Sequence, residues 1–271
     1  MPVLDVRIGC TVDTALSVDK SKSGKIMRNF LASAFVANTL RSPLFLQPRS
    51  MSTRFQMSVE DSANAYPDLT VYDMDACLWD KEMYEMSAMP SKTVLGDLNG
   101  RGEGVTGVMS GRDKISLHKG SLISLQEHYG GKYPGMKIAM ASSADTPFAE
   151  KVGRASLKIL EVVPGVTVWD VLMRDWDGVD VNQIGRQPPL SSNKSMTHFP
   201  FLRQKTSIRY DRMLFFDDCN WGDHCGMVEK NCREEDTGKG PATVRTPRGL
   251  GEEEWRRGLR IYAQRNGHSS D

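Results

Sequence analysis

Three short apolar runs in this chain stop abruptly on acids or hydroxyls. LTVYDMD (69–75) stops on Asp73 and Asp75, MKIAMASS (136–143) on Ser142 and Ser143, and MLFFDD (213–218) on Asp217 and Asp218. Runs of this length suit buried strands better than helices, and helical patterns stand between them. SLISLQEHY (121–129) reads as a helix closed by Gly130-Gly131. After the second run, Phe148, Val152, Ala155 and Ile159 fall at spacings of four, three and four, one apolar stripe. Asp145 or Thr146 is placed to cap that helix, with Pro147 tolerated in its first turn. A weaker run, VDVNQIG (179–185), reads as a third strand. Residues 195–207 and 222–231 read as helices, PATVRTP (241–247) as a last short strand, and Trp255, Leu259 and Tyr262 as one face of a final helix.

Strands alternating with helices imply right-handed crossovers, a mostly parallel sheet and helices on both faces: an α/β three-layer sandwich. Ligands of such sheets bind at the carboxyl ends of the strands, which is where the acids and hydroxyls fall. Lys194, just before the helix leading into MLFFDD, is expected at the same edge.

The chain has 271 residues, enough for one large domain or two small ones, and no stretch long and apolar enough to span a membrane. The net charge of +1 hides an asymmetry. Residues 1–59 carry eight Lys or Arg against three Asp, so the remaining body has a net charge of −4. A mildly acidic body argues against nucleic-acid binding driven by phosphate neutralisation. Between Ser21 and Val59 there is no acid, while arginines and serines recur, the composition of an organellar transit peptide of plastid or mitochondrion. The plainer alternative is a disordered extension with no targeting role and a cytoplasmic protein. Residues 1–65 are set apart on this basis, with 66–265 as the folded domain and 266–271 as a tail. Five cysteines, three of them crowded at 219, 225 and 232, suggest thiols in a reducing compartment.

Several carboxylates at one sheet edge repel one another unless a cation joins them. Magnesium takes oxygen ligands, usually one or two carboxylates with waters and a phosphate. A lysine and a serine suit a tetrahedral dianion, one as point charge and one as donor. An aspartate beside the metal can attack phosphorus, and a second, two residues on, can donate a proton to the leaving oxygen and later take one from water.

These residues resemble the four motifs of the haloacid dehalogenase (HAD)-like superfamily, and within it the magnesium-dependent phosphatase family. DMDACLW at 73–79 corresponds to the Asp-x-Asp-x-Thr-Leu-Trp motif, Lys194 with Thr197-His198-Phe199 to a Lys-x-x-His-Phe stretch, Lys205-Thr206-Ser207 to a Lys-Thr-Gly helix end, and FFDD at 215–218 to the fourth motif. The resemblance implies a HAD-like Rossmannoid fold with a minimal cap, here a flap at about 78–117, and a phosphoric monoester hydrolase. Asp73 would be the nucleophile and a magnesium ligand. Asp75 would be the acid/base, its backbone carbonyl facing the metal. Ser142 and Ser143 would contact the phosphoryl group, Lys194 would neutralise nucleophile and phosphate, and Asp218 would complete the metal site with Asp217 supporting it. Substrates would be phosphorylated small molecules or phosphoproteins, phosphotyrosine-like or sugar phosphates. Oligomeric state is not legible.

Three departures stand out. Cys77 replaces the family's threonine, a weaker hydrogen bonder that would hold the loop less firmly. Ser143 replaces a frequent arginine, whose contact would be lost or would pass to a residue such as Arg112 or Arg154. Lys194 lies one residue further from His-Phe than usual, so that Ser195 competes for its place. These departures leave open a catalytically impaired HAD-fold binding or regulatory protein. Trp79 is expected to pack, and His198 to support the site structurally. The glycine pattern at 102–107 lacks the helix a dinucleotide site requires. Cys219, His224, Cys225 and Cys232 lack standard zinc spacing.

Overall fold

The structure is a computed structural model, described over residues 65–268. The N-terminal extension and its targeting role lie outside the described residues except for Ala65, as does the tail from 269. Five strands form one sheet: β1 (Leu69–Tyr72), β5 (Lys137–Ser142), β8 (Gln183–Ile184), β9 (Met213–Asp217) and β10 (Ala242–Arg245). Their order is β10-β9-β1-β5-β8, and every pairing is parallel. From the central β1 the chain moves outward through β5 to β8, then returns to the other side for β9 and β10. The carboxyl end of β1 is therefore the topological switch point, where open α/β sheets hold ligands.

Side-chain alternation along these strands builds two cores. Tyr72, Ile138, Met140, Leu214 and Phe216 face one side, and Leu69, Val71, Ala139, Ala141, Met213 and Phe215 the other. The first side is covered by α1 (Lys119–Tyr129), α2 (Pro147–Leu157) and α6 (Glu252–Arg265), through Leu125, Val152 and Trp255. The second is covered by α4 (His198–Thr206) and α5 (His224–Asn231), through Phe199, Leu202 and Val228. Between β1 and α1 lies a three-stranded antiparallel sheet of β2 (Pro90–Asp97), β3 (Glu103–Ser110) and β4 (Asp113–Ile115). The glycine pattern at 102–107 falls largely within β3 and opens no helix. Residues 161–174 add a small hairpin, β6 (Glu161–Val163) with β7 (Val166–Thr167), and α3 (Val168–Arg174), whose Val168, Val171 and Leu172 join the first core.

Two elements differ from expectation. The third strand shortens to the two residues of β8, because the preceding chain spends its polar groups locally: Asp180 accepts from the backbone and side chain of Asn182. In α2 the buried face is Ala149, Val152, Gly153, Ser156 and Leu157, while Phe148 is exposed. Small residues win that face because the packing is close; a Cβ on Gly153 would lie 2.5 Å from the Met74 methyl. Thr146 is the cap, its hydroxyl accepting from Ala149 N at 3.0 Å.

Helix α1 packs closely on the entry to α6. A Cβ on Gly120 would lie 2.1 Å from the carbonyl carbon and oxygen of Gly251, backbone atoms that cannot swing aside. Gly120→Ala is therefore expected to destabilise the fold by about 1–3 kcal/mol, as overpacking of rigid contacts does. Denaturant unfolding checks this; an unchanged midpoint would contradict the packing described.

Candidate active site

Alternation decides which acids meet. Asp217 ends β9 with the orientation of Met213 and Phe215, and Asp73 follows β1 with that of Leu69 and Val71, its N–H donating to the Phe216 carbonyl at 2.9 Å. Both thus face the α4 side, where the chain arrives with Lys194. The Lys194 ammonium lies 2.7 Å from Asp73 Oδ1 and 2.6 Å from Asp217 Oδ2. Its side chain is 1% exposed. Lys194, not Ser195, holds this place. The Ser195 hydroxyl turns away to donate to Asn193 Oδ1 at 2.8 Å and accepts from Asn231. The lysine sits in the turn before α4 rather than at the helix start.

Asp73, Asp217 and Asp218 are buried, with carboxylate oxygens all within 4.8 Å of one another, and among the described residues they are the one group of this kind. With all three ionised, the carboxylates against one ammonium leave two negative charges, the complement of one divalent cation. The donor set, hard oxygens in a small buried cluster, suits magnesium. Burial pushes the Asp73 carboxyl well above its usual range, with Lys194 pulling the other way. Asp217 is held low: burial opposes, but Lys194 and the His224 ring prevail. Burial works against a charged Lys194, yet Asp217 and Asp73 overcome it and raise its pKa.

Asp75 is set apart from this cluster. Its Oδ1 accepts from Trp79 Nε1 at 3.2 Å and its Oδ2 from Met83 N at 3.0 Å. Burial pushes its carboxyl up to about 7, against the Met83 amide and the Trp79 indole. A carboxyl that titrates near neutrality is suited to giving and taking protons. Trp79 is buried as expected, and it also orients Asp75.

Ser142 and Ser143, at the end of β5, open with Asp73, Asp75 and Asp218 onto one cavity of about 510 Å³. His198 Nε2 donates to the carbonyls of Ser142 (3.1 Å) and Gly185 (3.0 Å), since carbonyls can only accept. His198 Nδ1 lies 3.1 Å from the Thr197 hydroxyl. This ring fastens the start of α4 to the serine turn, the structural part expected of it.

The departures resolve differently. The loop after Asp75 is held by Thr246, whose hydroxyl donates to Cys77 Sγ at 3.2 Å, and by Leu250 N donating to the Cys77 carbonyl at 2.9 Å. The cation lining the cavity is Arg186, not Arg112 or Arg154. Arg154 is occupied by Glu150 and Asp180, away from the cavity, and Arg112 lies on the exposed turn between β3 and β4. Arg186 pairs with Asp145 and had no spacing signal in the sequence. Among the described residues, Cys219, His224, Cys225 and Cys232 do not form a group of three metal ligands. His224 Nδ1 faces Asp217 at 3.2 Å, and Cys232 Sγ meets the Ser195 carbonyl at 3.4 Å. Sequence reasoning also missed Glu82, Tyr84 and Trp221, which line the mouth.

A sequence model of the Acid Phosphatase family matches residues 65–265. The chain belongs to this HAD-like family, as its motifs suggested. No curated protein matches it. Among solved structures it is similar to the N-terminal part, containing a phosphatase domain and complexed with magnesium, of a Bacteroides fragilis protein. That likeness has a TM-score of 0.36 and 16% identity, over 76% of this chain and 41% of that one. Among the described residues, no helix is long and apolar enough to cross a membrane.

The His198 contacts carry a pH signature. Burial and then Lys194 lower its pKa to about 4, so the folded protein keeps the ring neutral where an unfolded chain would protonate it. Stability from this group is complete above the ordinary histidine pKa and declines as pH falls from there towards 4. An NMR titration of the His198 ring should show a midpoint near 4. A midpoint near the unperturbed value would contradict the assigned contacts.

Proposed function

We propose that the protein is a magnesium-dependent phosphomonoester hydrolase working through an aspartyl-phosphate. The observation that carries this reading is Lys194, buried between Asp73 and Asp217 beside the cavity that holds Asp75 and Ser142. Asp73 and Asp218, with the Asp75 backbone carbonyl, are the magnesium ligands the family resemblance implies, and Asp217 supports them within reach of the same cluster. Bound magnesium supplies positive charge to the carboxylates and the phosphoryl oxygens.

In the first step an Asp73 oxygen forms a bond to phosphorus. The bond from phosphorus to the ester oxygen breaks, and Asp75 gives that oxygen its proton. In the second, water attacks the phosphorus, Asp75 takes its proton, and the bond to Asp73 breaks, releasing phosphate. Lys194 holds Asp73 in place and offsets its charge, while Ser142 and Ser143 contact the phosphoryl oxygens. Phosphoryl transfer depends on such positioning and neutralisation more than on covalent participation. Residues 66–265 form the catalytic domain, 266–271 a tail, and the β2–β4 sheet a small flap that leaves the cavity open. Phosphotyrosine-like and sugar phosphates are both within the reach of that reading. The acid-free, arginine-bearing segment before residue 60 supports an organellar address.

Purified protein should hydrolyse p-nitrophenyl phosphate with magnesium and lose that activity under chelation. Asp73→Asn should abolish turnover while the protein still folds, and Asp75→Asn should allow at most slow phosphoenzyme formation. Normal turnover by the Asp73 variant would remove the nucleophile assignment, and unchanged rates in the second would remove Asp75.

A further inference from the structure

Three side chains at the cavity mouth have no part in the proposed chemistry. Trp221, in the loop after β9, is 75% exposed, and Tyr84, in a short turn after β1, is 43% exposed. The rings stand nearly perpendicular, planes at 76° and centroids 6.4 Å apart. Trp221 Nε1 donates to Glu82 Oε1 at 3.1 Å, so segments 139 residues apart in sequence meet here. We propose that Trp221, Tyr84 and Glu82 form a subsite for an ammonium group carried on the alcohol half of the phosphate ester. The inference rests on the phosphatase reading for its purpose, since the subsite opens onto the same cavity as Asp73.

Glu82 is the charged member of the three. It is partly buried, and among the described residues it makes no ion pair; its contact is the neutral indole N–H. The other acid at the mouth, Asp145, already has Arg186. A neutral leaving group seated against Glu82 would strip water from a lone carboxylate, which is costly without a compensating partner. An ammonium supplies the missing charge. It is also attracted to the electron-rich faces of indole and phenol rings. Burial raises the Glu82 carboxyl, with Asp218 and Glu85 adding to it and the Trp221 indole and Lys194 opposing. The substrate class is thus a phosphate monoester of an amine-bearing alcohol.

The test compares choline phosphate with its uncharged carbon isostere, 3,3-dimethylbutyl phosphate. Dissociation constants are measured by calorimetry on the full chain with calcium, which takes the same oxygen ligands, and kcat/KM with magnesium. Choline phosphate should be favoured about ten-fold in both. That preference should shrink to within about two-fold in Glu82→Gln and in Trp221→Leu, a ratio that a general loss of folding or catalysis would not move. Equal binding of the two esters by the unaltered protein would overturn the subsite. So would tighter binding of phenyl phosphate than of choline phosphate, which would assign the rings to stacking. If no ester is hydrolysed, the phosphatase reading fails, yet the binding ratio still decides whether the ammonium site exists.

Discussion

The buried contact of Lys194 with Asp73 and Asp217 organises the rest of the site. Placing an ammonium in a core costs several kcal/mol in lost hydration, and two short charge-assisted contacts are what make it tolerable. In return, the lysine fixes two carboxylates from neighbouring parallel strands that would otherwise repel. It leaves the cluster two charges short of neutrality, which is what gives a divalent cation a reason to bind there. The sheet supplies the geometry. Because β1 and β9 pair in parallel and in register, residues of the same orientation lie side by side, and both aspartates point to the α4 face.

A second set of contacts keeps the remaining groups in place. His198, neutral and buried, joins the start of α4 to the carbonyls of Ser142 and Gly185, so the turn that presents Ser142 is tied to the turn that presents Lys194. Asp75 is held by Trp79 and the Met83 amide, and Thr246 secures the intervening loop at Cys77. The His198 and Thr246 contacts join separate strand ends, while those of Asp75 stay within the loop after β1.

How much of this was legible in the sequence follows from range. The strand ends at Asp73, Ser142 and Asp217 were readable because apolar runs that stop on acids are a local pattern. Lys194 is readable through its place before the His-Phe pair, although spacing alone leaves Ser195 as a competitor and only side-chain geometry separates them. The α2 stripe was misjudged because a size-blind pattern favours Phe148, whereas close packing on Met74 selects Gly153 and Ser156. Arg186 and the group of Glu82, Tyr84 and Trp221 were not legible at all. They come from separate segments and converge only when β8 and β9 lie on opposite sides of β1. Local periodicity carries no information about such meetings.

The central claim is that Asp73 takes the phosphoryl group before water does. The most direct measurement is the stereochemical course of hydrolysis of an ester made chiral at phosphorus. Two successive in-line displacements predict net retention of configuration. Net inversion would mean that water attacks the ester directly, and the account of Asp73 as nucleophile would be contradicted.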